Sequence, residues 1–130
     1  MVLDTSALVA ILQNEPERVA LTRALRDEPV RRMSTATLVE AGIVVQGRHG
    51  DDGAARLDAL LDRAAVEVLP LTAAHAAAAR EAFRRFGKGR HPAGLNYGDC
   101  FSYALAVALA EPLLFVGDDF GQTDVDVAPY

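Results

Sequence analysis

A chain of 130 residues, 51% hydrophobic and 24% charged, has the size of one domain that buries about two-thirds of its unfolded surface. No apolar run approaches the ~20 residues needed to cross a membrane, and MVLDTSALVAIL, with no basic leader and an acid at position 4, does not read as a signal peptide. The formal charge of −5 argues against binding nucleic acid through overall charge while leaving room for a local basic patch, and the lone Cys100 excludes an intrachain disulfide and fits a reducing, cytoplasmic setting.

Met1 to Asp4 reads as a short first strand, and Thr5 or Ser6 is placed to cap the helix behind it, with Ala7, Leu8, Ile11 and Leu12 facing inward. Pro16 suits the start of a second helix with the stripe Val19, Leu21, Ala24 and Leu25, closed by Pro29 ahead of a weak second strand at Val30 to Met33. Ser34 caps a helix through Leu38, Val39, Ile43, Val44 and Val45 that ends near Gly47 to Gly50. Asp51 or Asp52 opens another, carrying Leu57, Leu60, Leu61 and Ala64. Val66 to Leu71 alternates as a third strand, Thr72 caps an alanine-rich helix to about Phe86, and GKGRHPAGL is a loop by its Gly and Pro content. From Cys100 to Ala110 the chain is apolar nearly all round, the mark of a buried helix. Leu113 to Val116, behind Pro112, suits a strand covered on both faces of a parallel sheet, and Val125 to Ala128 is a candidate fifth strand.

Short strands alternating with helices imply right-handed βαβ crossovers. The expectation is one α/β domain over residues 1–130, three layers deep, with a short central parallel sheet of four to five strands. In such sheets functional groups gather at the carboxyl ends of the strands. Asp4 ends the first strand, Asp118 and Asp119 follow the fourth, and Glu40 and Asp99 lie in first turns of helices that can face the same edge.

Each acid also has an innocent role. Asp4 can cap a helix at a strand–helix junction, Glu40 can complete a capping box with Thr37, Asp99 can sit third in a helix capped by Asn96, and Asp118 with Asp119 can form a turn. Their joint placement says more. Four carboxylates within ~5 Å of one another repel by ~3 kcal/mol per pair at an effective dielectric of ~20. Summed over all pairs this is ~20 kcal/mol, more than the ~5–15 kcal/mol that stabilises a domain. Protonation or a divalent cation must relieve such a cluster. Oxygen ligands without His or Cys favour Mg²⁺ or Mn²⁺, and that chemistry suits attack of water on a phosphodiester.

The basic counterpart is local. Between Ala82 and Gly98 there is no acid, while Arg84, Arg85, Lys88 and Arg90 are all positive. Arg84 and Arg85 read equally well as a solvated helix end; the glycine-flanked Lys88 and Arg90 read as a phosphate-gripping loop. Other chemistries fare worse. There is no P-loop lysine and no Gly-x-Ser-x-Gly elbow, and His49, His75 and His91 lack metal spacing. Cys100 reads as a core thiol, and Tyr97 and Tyr103 read as packing residues, with stacking on a base open to Tyr97.

VLDTSALVAIL, STATLVEAGIV, GKGRHPAGLNYGDCFSYALA and PLLFVGDDFGQTDV, taken together along the whole chain, resemble the PIN-domain ribonucleases, and within them the VapC toxins of toxin–antitoxin pairs. The resemblance implies a PIN-like α/β/α fold in which Asp4, Glu40, Asp99 and one of Asp118 or Asp119 hold Mg²⁺ or Mn²⁺ and activate water, with Thr5 or Ser6 orienting it. The family pattern sets its last acid or Asn directly after the fourth strand, where this chain has Gly117; Asp119, which precedes Phe120 as in the family's Asp-Phe pair, is favoured. The resemblance further implies a homodimer, a cognate antitoxin in the active-site groove, and structured RNA (tRNA or rRNA) as substrate. The alternative is a catalytically inactive PIN-like module that binds RNA or a partner and whose acids are structural.

Overall fold

The structure, a computed structural model, describes residues 1–130. The chain passes through β1 (Val2–Leu3), α1 (Thr5–Leu12), α2 (Arg18–Asp27), β2 (Arg32–Ser34), α3 (Thr35–Arg63), β3 (Glu67–Leu69), α4 (Ala73–Phe86), α5 (Tyr97–Leu109) and β4 (Leu113–Leu114), then a single 3-10 turn at Phe120–Gln122. The strands lie side by side as β3-β2-β1-β4, and every pairing is parallel. Strand side chains alternate between faces, and two residues suffice to show it. Val2 and Leu113 enter a core with α4 and α5, whereas Leu3 and Leu114 enter a second core with α1, α2 and α3. All four are wholly buried. Helices therefore cover both faces, and the domain is the expected three-layer α/β/α sandwich.

The local signals explain most element ends. Ser34 caps α3 through its side chain, and Thr72 and Asn96 cap α4 and α5 with reciprocal capping boxes. The interior of α5 is buried from Ser102 to Ala106, as its composition requires. The two helices expected on either side of Gly47 to Gly50 are present as the two halves of α3, meeting at a kink at Gly50, whose φ of 59° and ψ of −152° are open to glycine almost alone.

Three expectations are corrected. The first helix is capped by Asp4, one residue before Thr5 and Ser6: its carboxylate accepts from Ser6 N at 2.9 Å. The second helix starts at Arg18, beyond Pro16, because a turn stabilised by Arg18 N donating to Glu15 O comes first. Val125 to Ala128 forms no strand; a single bridge joins Val127 to Leu113, through Leu113 N to Asp126 O and Ala128 N to Leu113 O. The sheet is thus four-stranded with a one-residue extension beside β4.

Candidate active site

The carboxyl ends of β1, β2 and β4 open onto one edge, and each delivers an acid by a different local device. Asp4 leaves β1 as the α1 cap and is 3% exposed. Its Oδ2 accepts from Ser6 N at 2.9 Å and Ser6 Oγ at 2.6 Å, while Oδ1 is buried with no donor. Ser6 Oγ also accepts from Val116 N at 3.0 Å, which ties the start of α1 to the chain leaving β4. Glu40, in the second turn of α3, accepts from Thr5 Oγ1 at 2.6 Å. The capping box with Thr37 does not form, since Thr37 lies inward and shares a hydrogen bond with Ser102 at 3.2 Å. Asp99 accepts from Asn96 N at 2.7 Å and returns its own N–H to Asn96 Oδ1 at 3.0 Å. Its capping role is therefore real, but one carboxylate has more acceptor capacity than that single bond uses.

The acids feel one another. Burial pushes the Asp99 carboxyl up to about 6, and the charges of Asp4, Asp119 and Glu40 push the same way against the hydrogen bond from Asn96. Burial likewise raises Glu40, with Asp4 adding to the effect and Thr5 opposing it. None of Asp4, Glu40, Asp99, Asp118 or Asp119 has a basic side chain as ion-pair partner. No three acidic, histidine or cysteine side chains converge closely enough to hold a cation as they stand. Asp4, Glu40 and Asp99 are instead each drawn to a hydroxyl or backbone donor, the arrangement expected of like charges facing one another across a gap. A buried, donorless Asp4 Oδ1 and an edge without compensating cations fit a divalent ion bound by oxygen ligands.

The remaining expected residues separate cleanly. Asp118 and Asp119 are both exposed on the turn after β4, and of the two it is Asp119 whose charge raises Asp99. Lys88 and Arg90 lie exposed on a loop closed by the Gly87–Leu95 bridge, neither paired with an acid. Arg84 and Arg85 are committed elsewhere, to Glu81 and Asp124. Cys100 is a buried thiol donating to Asn96 O at 3.1 Å, and burial pushes it up to about 11, far from a nucleophile. Tyr103 packs as expected. Tyr97 does not: it is 81% exposed, edge-on to Phe101 at 4.8 Å.

With this geometry in place, the chain compares as follows. The family model described as PIN domain matches residues 1–126. "Ribonuclease VapC" of Mycolicibacterium smegmatis is 57% identical over 125 residues, 96% of this chain and 97% of that protein. The chain belongs to the PIN-domain family, among the VapC ribonucleases. Its fold is shared with Mycobacterium tuberculosis VapC20, described as a sarcin-ricin loop cleaving toxin, at a TM-score of 0.81 and 19% identity over 99% of this chain and 98% of that one. It is shared too with a chain of a toxin–antitoxin complex from Klebsiella pneumoniae, at 0.73 and 18% over 99% and 97%.

In this PIN domain, sequence reasoning missed two positions. One is Thr5 as the partner of Glu40, signalled only by a hydroxyl residue next to Asp4. The other is Gly98, where a Cβ would fall inside the Glu40 carboxylate. A glycine in the first turn of an otherwise apolar helix was the available sign, since it weakens the helix.

The raised Asp99 carries a pH dependence. An aspartate near 3.8 in the unfolded chain and about 6 in the fold binds its proton more tightly when folded. Its contribution to stability is full below the unfolded value and is lost as pH rises through the folded one. In metal-free protein, Asp99→Asn should match wild type near pH 4 and exceed it by about 1–3 kcal/mol near pH 7. Thermal melts in EDTA across that range check it; a variant equally less stable at both ends shows that Asp99 is a structural cap alone.

Proposed function

We propose that the protein is a Mg²⁺- or Mn²⁺-dependent endoribonuclease toxin that hydrolyses structured RNA (tRNA or rRNA) and is inhibited by a cognate antitoxin. The observation that carries the reading is the gathering of Asp4, Glu40, Asp99 and Asp119 at one edge with no internal cation and with Asp4 Oδ1 buried and unpartnered. When bound, a divalent cation supplies Lewis-acid activation of water and offsets charge on the phosphate being cleaved. The chain's own groups do the rest. Ser6 holds Asp4 by Oδ2, so that Oδ1 is left for the cation. Thr5 fixes Glu40, Asn96 N fixes Asp99, and Asp119 closes the set from the turn after β4. Lys88 and Arg90 hold the RNA backbone, where contacts to phosphate position a strand without reading it.

Relatives named ribonucleases support the activity, the fold neighbour VapC20 is described as cleaving the sarcin-ricin loop, and the Klebsiella complex supports an antitoxin partner. A reducing cytoplasm suits the single thiol. The opposing reading, an inactive PIN-like binding module, draws on the capping roles of Asp4 and Asp99 and the absence of a closed three-acid site. Mn²⁺ separates the two. It should raise the thermal midpoint of wild type, with an added stability of about 2.7 kcal/mol at a hundredfold excess over Kd. Asp99→Asn should abolish both that rise and RNA cleavage, and Asp119→Asn should weaken Mn²⁺ more than Asp118→Asn does. RNA binding with no Mn²⁺ response favours the binding module.

The basic loop gives a second test. On a catalytically dead Asp99→Asn background, Lys88→Ala with Arg90→Ala should weaken RNA binding and lower its salt slope by roughly one to two units. On an Asp99-intact background, the same pair should leave the cleavage position unchanged. An unchanged affinity and slope make the loop a solvated one.

A second copy of the chain is proposed for the apolar face of α3 and α5. Val39 and Ile43 are 60% and 68% exposed there, and with Leu71, Tyr97 and Phe101 they line one groove in which Glu40 is the single charged residue. Like surface meets like across a two-fold axis, and a face so largely apolar can do so despite a net charge of −5. Sedimentation should show a dimer for wild type and a monomer for Ile43→Glu; a wild-type monomer at micromolar concentration refutes this assignment.

A further inference from the structure

The turn that carries Asp118 and Asp119 is tied within itself by four hydrogen bonds. Inside it, Gln122 N donates to Asp119 O at 3.2 Å, Gln122 Nε2 to Asp118 O at 3.3 Å, and Thr123 N and Oγ1 to Phe120 O at 3.0 and 2.8 Å. Upstream it meets Gly117, exposed and with φ of 112°, just past the Val116 N–Ser6 Oγ bond. A rigid turn behind such a glycine can swing as a unit unless something beyond it is fixed. Three things are. Phe120 is buried edge-on against Phe115 at 5.0 Å, the Val127 bridge to Leu113 holds the chain past Val125, and Asp124, at the turn's own end, is gripped by two helices. Tyr103 Oη donates to Asp124 Oδ1, and Arg85 Nη2 donates to Asp124 Oδ2 at 2.7 Å. The Arg85 guanidinium also lies 4.5 Å over the Phe86 ring, so it is supported from below. Burial, together with Asp124, pushes the Tyr103 hydroxyl up to about 12, which keeps it a donor at neutral pH.

The position of Tyr103 gives the clamp its meaning. It stands four residues after Asp99 on α5, so the two share one helix face. One face of one helix thus holds an acid of the proposed site and the anchor for the turn bearing another. We propose that Tyr103, Asp124 and Arg85 form a clamp that sets the Asp118–Asp119 turn against Asp99, and that Asp124 is a positioning residue for the cation ligand on that turn. This rests on the metal-dependent reading above. Asp124 does not touch the cation; it acts through Asp119.

Calorimetric titration with Mn²⁺ tests it, on wild type, Tyr103→Phe, Asp124→Asn and the surface variant Arg85→Gln, which leaves the core intact. Tyr103→Phe should weaken Mn²⁺ about tenfold, in the range seen when groups behind metal ligands are removed, and Arg85→Gln by less. Added to Asp119→Asn, Tyr103→Phe should cost little more, because both act through one ligand. A merely structural bond would give losses that add. In metal-free Tyr103→Phe, the amides of Thr123 and Val125 should exchange faster while those of α4 and α5 hold their rates. Unchanged Mn²⁺ affinity in Tyr103→Phe and Arg85→Gln, or fully additive losses, overturns the clamp while leaving the metal reading intact. Failure of wild type to bind Mn²⁺ overturns both.

Discussion

Like charges at one edge of a parallel sheet, with no positive side chain set among them, are the constraint from which the rest of the molecule takes its shape. Acids are costly to bury, and here they are brought together by the very elements that build the core. Asp4 follows a strand whose two residues are wholly buried, and Asp99 opens a helix whose middle is sealed. The price appears as carboxyls held above their ordinary range, Asp99 most of all. A fold that sought only stability would have paired them with arginine. Arginines are at hand in number, yet Arg32, Arg84 and Arg85 are spent on Glu67, Glu111, Glu81 and Asp124, away from this edge.

Short strands serve that arrangement. The two-residue β1 and β4 are just long enough to send alternate side chains into the two cores and to fix register, Val2 against Leu113 and Leu3 against Leu114. Past them the backbone is free to turn, and hydroxyl groups take over the ordering. Ser6 couples Asp4 to Val116, Thr5 couples α1 to Glu40, and Thr37 with Ser102 joins α3 to α5 in the interior. These bonds cross between elements far apart in sequence, so they hold the edge in three dimensions where no strand pairing does.

This division explains what could be read from the chain and what could not. Periodicity and apolar runs located the strands β1 and β4 and the buried helix α5, because burial on both faces leaves an imprint on consecutive residues. Caps were visible at Ser34, Thr72 and Asn96, where chemistry and position agree. Asp4 was legible as a cap of α1 only as one of three candidates, with Thr5 and Ser6, residues of equal capping ability, directly behind it. Val125 to Ala128 has strand composition, but its partner β4 is too short to extend a ladder. The acids of the edge were legible by their order along the chain. Their partners were not, since the Thr5–Glu40 and Ser6–Val116 bonds are made by residues 35 and 110 positions apart. Tyr97 was misjudged because a first-turn aromatic looks the same whether it packs or projects.

Gly98 carries one more consequence. Having no side chain, it lets the Glu40 carboxylate come up against the backbone at the second residue of α5. The amino end of a helix bears roughly half a positive charge, spread over N–H groups that lack intrahelical acceptors. Glu40 and Asp99 therefore share a fixed positive field at this edge, as Asp4 shares that of α1, and both fields are supplied by peptide dipoles and not by any side chain. Such a field cannot titrate or swing away. It tempers the repulsion enough for the acids to stand together in the folded chain, and it is too weak to satisfy them.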